Sequence, residues 1–202
     1  GNITSALKDR QGSDSLRLPS SILRRLYLCG TGATWRLQAI ASALMFGLAA
    51  TAYHSAMGNG FCLDDTGILF DNQFVADLAW ANLWTTNYWQ GVTGNTGGLY
   101  RPLSLTLITV ERWLFGEAAA LYHVVSILLQ SLAAGGLVAI ARRGGSEPAS
   151  AWLAGALLCV HPAATEVVNA VVGTADLLVF LTGMTGASIL VAGQRTRTAL
   201  LG

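Results

Sequence analysis

The stretch AAALYHVVSILLQSLAAGGLVAIA, residues 118–141, decides the fold class. It contains no Asp, Glu, Lys or Arg. At about 1.5 Å per helical residue it is long enough to cross the roughly 30 Å hydrocarbon core of a bilayer. The buried core helix of a soluble protein is the alternative, but this stretch is long and uniformly apolar. It therefore predicts a transmembrane helix.

Three further apolar stretches accompany it, at residues 37–57, 150–162 and 177–192. Only 11% of the 202 residues are charged, whereas a soluble domain carries about 25%. We therefore expect an all-α membrane protein with about four transmembrane helices. The expected segments are a basic leader (1–36), a first span (37–57), an outer loop (58–117), a second span (118–141), an inner loop (142–149), the third and fourth spans with a short lumenal turn between them (150–193), and a tail (194–202).

The charges around these stretches predict an orientation, because basic residues concentrate on the cytoplasmic side of a membrane. The inner flanks contain Lys8, Arg10, Arg17, Arg24, Arg25, Arg36, Arg142, Arg143, Arg195 and Arg197. The loop at 58–117 is instead acidic, with Asp64, Asp65, Asp71, Asp77, Glu111 and Glu117. This pattern predicts a cytoplasmic N-terminus, with residues 59–117 and 165–176 together on the outer, lumenal side.

The outer loop is rich in Trp and Tyr, which favour the membrane–water interface. Its residues 72–84 and 103–114 both have the pattern of short amphipathic helices. We expect these helices to lie in the plane of the interface.

Two adjacent carboxylates, Asp64 and Asp65, follow the first span closely. Such a pair is often a solvated loop or a helix cap. At this position, a carboxylate can also act as a general base on an acceptor hydroxyl or bind a divalent metal. We take Asp64 and Asp65 as candidate catalytic residues, and no cofactor other than such a metal is expected.

Arg101 directly precedes Pro102, at the start of the second amphipathic helix. The planar guanidinium donates two parallel hydrogen bonds and suits a phosphate. Snorkelling at the interface is the alternative.

The sequence His161-Pro162 ends the third stretch, because proline interrupts a helix. Glu166 and Asp176 follow, and both are also plausible as helix caps. We favour a polar pocket formed by His161, Glu166 and Asp176 and facing the Asp64-Asp65 loop.

The first residues, Gly1-Asn2-Ile3-Thr4-Ser5, match the N-myristoylation pattern at Gly1. A chain start created by processing is the alternative.

Taken in order, these strings resemble the N-terminal part of the transmembrane O-mannosyltransferases that carry tetratricopeptide repeats, which have the GT-C glycosyltransferase fold. The resemblance covers about residues 60–178. It rests on residues 61–65, Ile68, Asn72, Val75, Tyr100-Arg101-Pro102-Leu103, Gly116, Tyr122-His123, His161-Pro162, Thr165-Glu166, Val172-Gly173 and Ala175-Asp176-Leu177-Leu178.

The resemblance implies transfer of mannose from a dolichyl-phosphate donor to Ser or Thr in the endoplasmic reticulum lumen, with inversion at the sugar carbon. It assigns the base to Asp64 or Asp65 and the donor phosphate to Arg101. The chain departs from the family pattern at four polar positions and has no tetratricopeptide repeats. Ser126, Gln130, Ala164 and Thr174 stand where the family has Asn, His, His and Arg.

Two functions follow as hypotheses. The chain is either a glycosyltransferase-like module that is inactive alone and needs a second chain, or a non-catalytic structural subunit of a larger membrane complex. A channel or transporter component ranks last, since the spans contain few charges. Membrane lipids and other membrane subunits are the expected partners, and a nucleic acid is not.

Overall fold

The computed structural model describes residues 20–92 and 97–201, with side-chain contacts for residues 35–92 and 97–191. The lipidation predicted at Gly1 lies outside the described residues. Within these ranges the protein is helical and has no strand, only an isolated bridge between Asn72 and Val92. The predicted helical class is therefore confirmed.

The α-helices are α1 (Ser20–Ala52), α2 (Asp64–Thr66), α3 (Gln73–Ala76), α4 (Trp80–Thr85), α5 (Pro102–Phe115), α6 (Ala119–Gly144), α7 (Pro148–Val160), α8 (Ala164–Asn169) and α9 (Thr174–Leu201). Two 3-10 turns (His54–Gly58 and Val171–Gly173) and one π-helical turn (Gly67–Asp71) complete the order.

Among the described residues, two segments are helical, long and apolar enough to cross a membrane. They are Ala119–Gly144, with a mean hydropathy of 2.1, and Val171–Val191, with a mean hydropathy of 1.6. Helix α7 is apolar but shorter. The predicted second and fourth spans are thus matched by such helices, whereas the first and third spans and the orientation remain predictions.

Several helices differ from the sequence-based expectation, among them α9, which runs to Leu201 instead of ending near residue 192. Helix α1 already includes Ser20, the first described residue and well before residue 37, because polar and basic residues such as arginine are also good helix formers. The single helix expected at 72–84 is two short helices, α3 and α4. The backbone φ of Leu78 is +52°, a left-handed value that a continuous α-helix does not accommodate.

Helix α5 matches its predicted position, and its exposed side is apolar. Leu103, Trp113 and Leu114 are exposed, while Ser104 and Glu111 are buried. An apolar outward surface is suited to lipid. That this helix lies in the interface remains a prediction.

Helix α6 is the central element and packs against α1, α7 and α9. Its Ile127, Ala134 and Val138 form one apolar cluster with residues of α1 and α7. A second cluster is formed mainly by residues of the outer loop. Its members are Ile68, Leu69, Val75, Leu83, Tyr88, Leu105 and Ile108, together with Tyr122 of α6 and Val171 of the turn before α9. Because α6 contributes Tyr122 to it, the loop is anchored directly on the central helix.

The crossing of α1 and α6 is very close. A Cβ atom at Gly135 would lie 2.6 Å from the Ser42 backbone nitrogen and 2.7 Å from its Cα. Backbone atoms cannot move aside as a side-chain end can. Gly155 similarly allows α7 to approach α6, since its Cβ would lie 3.0 Å from the Ala134 carbonyl oxygen.

We predict that Gly135→Ala destabilises the protein by about 1–3 kcal/mol, the usual cost of overpacking. The measurement is thermal unfolding in detergent or nanodiscs. Gly47→Ala is the matched control on α1, because no atom lies within 4 Å of its Cβ position. Equal unfolding temperatures for the two variants would contradict the close crossing.

Candidate functional site

The site begins with Asp65, a buried carboxylate in α2 whose two oxygens both accept hydrogen bonds. Its Oδ1 accepts the backbone N–H of Val172 at 2.9 Å. Its Oδ2 accepts the backbone N–H of Cys62 at 3.3 Å, with the Cys62 thiol at 3.9 Å. The side chain is 0% exposed. Asp65 therefore joins the outer loop to the turn before α9, two segments that the sequence predicts on one side of the membrane.

The neighbouring Asp64 is exposed. The two carboxylates thus differ in what they can do: Asp64 is open to a substrate, whereas both oxygens of Asp65 are occupied by donors of the chain itself. Sequence reasoning could not separate them, because the difference comes from a contact with a residue 107 positions away.

Arg101 lies immediately before α5 and is half-buried. Its Cζ atom is 5.6 Å from the ring centroid of Tyr88. Burial raises the pKa of Tyr88 to about 12; the Ser104 hydroxyl and Arg101 oppose this rise, and Asp65 and Asp64 add to it. The phenol therefore lies within electrostatic reach of both acids and of the arginine. Asp64, Asp65 and Arg101 thus all act electrostatically on this tyrosine, and Arg101 lies over its ring; no motif in the sequence points to Tyr88.

The predicted pocket residues His161 and Asp176 lie elsewhere. Both line an open groove of about 360 Å³ between α6, α7, α8 and α9, together with Gln130, Ala133, Leu157, Leu158, Ala163, Ala164, Val167, Leu177 and Phe180. The lining is mostly apolar, so this is not the polar pocket that the sequence favoured. Glu166, Asp64 and Arg101 are not among the residues that line this groove.

The three residues of the predicted polar pocket, His161, Glu166 and Asp176, are all exposed in the structure. The Nδ1 atom of His161 accepts the backbone N–H of Ala163 at 3.1 Å. As the sequence predicts, α7 ends at Val160, directly before His161-Pro162.

Three of the polar departures from the family pattern are satisfied within the chain. Gln130 donates to the Leu158 carbonyl at 2.7 Å. Ser126 donates to the Tyr122 carbonyl at 3.2 Å, and Thr174 to the Val171 carbonyl at 2.9 Å.

His123 is the exception among the polar residues of α6. It is 0% exposed, and both of its ring nitrogens are without a hydrogen-bond partner. A group left unpaired in this way bears the full cost of its desolvation.

Among residues 20–92 and 97–201, the His, Cys, Asp and Glu side chains form no group of three or more that could bind a metal ion.

We predict that Asp65→Asn lowers the free energy of unfolding by about 1–3 kcal/mol, because an amide replaces a charged acceptor and leaves a buried donor unpaired. The exposed Asp64→Asn is the matched control and should change stability by no more than about 0.5 kcal/mol. Thermal unfolding in nanodiscs measures both. An equal loss in the two variants would argue against the structural role of Asp65.

Glu111 on α5 is, like Asp65, a buried acid. It is 2% exposed, and neither of its carboxyl oxygens has a hydrogen-bond partner. Burial raises the pKa of this carboxyl from 4.5 to about 8. Between these two pH values the folded protein holds a proton that the unfolded chain releases. Stability therefore falls as pH rises through this window, by at most about 1.4 kcal/mol per pH unit.

Glu111→Gln should remove this pH dependence and make the protein more stable at pH 8 than the unsubstituted chain. The exposed Glu117→Gln is the control and should leave the profile unchanged. Unfolding midpoints measured from pH 5 to pH 8 test the prediction, and parallel profiles for all three proteins would refute it.

Comparison with known proteins identifies relatives. The chain is 30% identical over 142 residues to protein O-mannosyl-transferase tmtc2 of Xenopus laevis, which covers 68% of this chain and 17% of the relative. It is 33% identical over 137 residues to protein O-mannosyl-transferase Tmtc2 of Drosophila melanogaster, covering 64% and 14%. It is 30% identical over 147 residues to human protein O-mannosyl-transferase TMTC1, covering 70% and 17%.

No family model matches the chain, and neither does any solved structure. The chain spans about a sixth of the length of these curated relatives. The similarity agrees with the resemblance to this family, and together with the two apolar helices it indicates a membrane protein. This chain is a divergent relative of one part of the protein O-mannosyl-transferases.

Proposed function

We propose that this chain is a glycosyltransferase-like membrane module that binds a lipid-phosphate-linked mannose, the dolichyl-phosphate donor of the family resemblance. The observation that carries the proposal is the arrangement around Tyr88. An exposed carboxylate, Asp64, and a half-buried guanidinium, Arg101, lie within electrostatic reach of one phenol. The transfer requires a general base for the acceptor hydroxyl and a cationic group that binds the donor phosphate.

In the proposed reaction Asp64 takes the proton of a Ser or Thr hydroxyl on the acceptor protein. The hydroxyl oxygen forms a bond to the anomeric carbon of mannose from the face opposite the phosphate, and the configuration inverts. The bond between that carbon and the phosphate oxygen breaks, and the phosphate keeps the electron pair. Arg101 then faces the increased negative charge, where a charge-assisted bidentate contact is strongest.

The division of labour between the two acids follows from their surroundings. Asp65 accepts two backbone hydrogen bonds and is closed from solvent. We assign it the positioning of the Asp64 loop, and Asp64 the chemistry. His161 and Asp176 then border the open apolar groove, which is suited to a hydrocarbon chain rather than to the sugar.

Catalysis is proposed to need further protein, supplied by a second chain. Large apolar side chains are exposed along α7 and α9, among them Leu153, Leu157, Val179, Ile189 and Leu190. Lipid or neighbouring helices would cover them.

A non-catalytic structural subunit is the second candidate. One observation favours it: Ser126, Gln130 and Thr174 form their hydrogen bonds within the chain and offer a ligand little. This function predicts co-purification in fixed proportion with a membrane assembly that is indifferent to Asp64→Asn and Arg101→Gln.

The test is binding of a polyprenyl-phosphate mannose to the chain in nanodiscs. Arg101→Gln should weaken binding about tenfold to a hundredfold, because a hydrogen bond to a charged group contributes roughly 1.5–3 kcal/mol. Arg143→Gln is the control, because Arg143 lies in the last turn of α6 and is not part of the proposed site. This variant should bind the lipid normally. Asp64→Asn should bind normally but abolish transfer to a Ser/Thr peptide in the presence of the co-purified partner.

The absence of mannosyl-lipid binding by the unsubstituted chain would reject the proposal. So would equal weakening by the two arginine variants, since that would indicate a general effect of positive charge.

A further inference from the structure

Two buried hydroxyls in the outer loop have no hydrogen-bond partner. The side chains of Tyr88 and Ser104 are 2% and 3% exposed. Neither the phenol oxygen of Tyr88 nor the Oγ atom of Ser104 has a partner at hydrogen-bond geometry, and both are closed from solvent. The two hydroxyls are near enough to interact with each other, since Ser104 lowers the pKa of Tyr88 through its side chain. Buried polar atoms are nearly always paired, so each unpaired one requires an explanation. A ligand that completes the pairing is one such explanation.

The two hydroxyls lie next to the proposed phosphate-binding arginine. Ser104 is in the first turn of α5, which starts directly after Arg101. Arg101 itself lies over the ring of Tyr88. The Ser104 hydroxyl and Arg101 both lower the pKa of Tyr88, which burial holds at about 12. The phenol is therefore protonated at physiological pH and available as a donor.

The beginning of α5 adds a third favourable feature. No side chain caps this end of the helix, and Arg101 occupies the cap position. The positive end of a helix dipole attracts an anion, and free backbone N–H groups there can bind one. A guanidinium, a helix N-terminus and two buried hydroxyls are thus neighbours at the start of α5.

We propose that Tyr88 and Ser104 are ligand-binding residues whose hydroxyls donate to the oxygens of a phosphate group that Arg101 neutralises. This inference rests on the proposed function, and it names contacts that neither the motifs nor the relatives assign. Since the two oxygens are closed from solvent, a ligand would reach them only after neighbouring side chains move.

The two hydroxyls should affect stability and ligand binding in opposite directions. Removing a hydroxyl that is unpaired in the empty protein should stabilise it, because the cost of burying that polar group disappears. Removing the same hydroxyl should weaken ligand binding. A residue with a purely structural hydrogen bond would show the opposite change in stability.

The experiment uses Tyr88→Phe and Ser104→Ala in the full chain, in nanodiscs. The probes are a short-chain prenyl phosphate, the matching prenyl alcohol and inorganic phosphate. Each substitution should weaken binding of the prenyl phosphate about tenfold, as expected for loss of a hydrogen bond to a charged group. Each should also raise the unfolding temperature of the ligand-free protein, and the alcohol should bind weakly to all variants.

Tyr53→Phe is the matched control. Tyr53 is another buried tyrosine with an unpaired phenol oxygen, but it belongs to the apolar cluster of α1, α6 and α7. Its substitution should raise the unfolding temperature in the same way and leave binding of prenyl phosphate unchanged.

The outcomes separate this inference from the proposed function. If Arg101→Gln weakens binding of prenyl phosphate while Tyr88→Phe and Ser104→Ala do not, the inference is wrong and the function stands. A lower unfolding temperature for the latter two variants also overturns it. If inorganic phosphate binds as tightly as prenyl phosphate and both substitutions weaken it, the anion site is supported and the lipid donor is rejected. If neither phosphate binds to the unsubstituted chain, both proposals fail.

Discussion

The hydrogen bonds accepted by the Asp65 carboxylate hold together two segments that are far apart in sequence. The bond to Val172 spans 107 positions and links the loop after α1 to the turn before α9. Because the carboxylate is closed from solvent, water does not compete for these bonds, and an unpaired partner there would be costly. The position of Asp64, one residue away, follows from this attachment.

The attachment works because the outer loop has an apolar core of its own. Tyr122 of α6 and Val171 of the turn before α9 both belong to that core, and Tyr122 also donates to the Gly116 carbonyl at 2.7 Å. The loop is thus joined to the helical bundle by apolar packing at two places and by Asp65 at a third. The close α1–α6 crossing at Gly135 supports the same arrangement from the bundle side. A substitution that shifts α6 in the bundle is therefore expected to shift the outer loop and the candidate site as well.

The local features of the fold could be predicted from sequence, and the long-range contacts could not. Helix α5 runs from Pro102 to Phe115, one residue longer at each end than its apolar pattern predicts, and α7 ends directly before His161-Pro162. Both depend on neighbouring residues only. The break at Leu78 was missed because leucine gives no sign of a left-handed backbone.

The candidate site illustrates the same limit. Its arginine and its two acids stand out in the sequence because only 11% of the chain is charged and they lie beside apolar stretches. Tyr88 and Ser104 do not, since aromatic and hydroxyl residues are common in this loop. Only burial without a partner distinguishes them, and that property appears only once the chain is folded. Likewise, the different surroundings of Asp64 and Asp65 depend on Val172, a residue that no local pattern connects to them.

The distribution of satisfied and unsatisfied polar groups has a further implication for the proposed function. On the α6–α9 side, Gln130, Ser126 and Thr174 bond to carbonyls of the chain, and the groove there is mostly apolar. Around the start of α5, two hydroxyls without a partner at hydrogen-bond geometry lie beside a cation. In the proposed function an anion would find donors on the α5 side, whereas a sugar, which needs many neutral hydrogen bonds, would find few among the residues that line the groove. Such a chain is better equipped to hold a phosphate-bearing lipid than to position its sugar for transfer, and this asymmetry is a physical reason why transfer would require a second polypeptide.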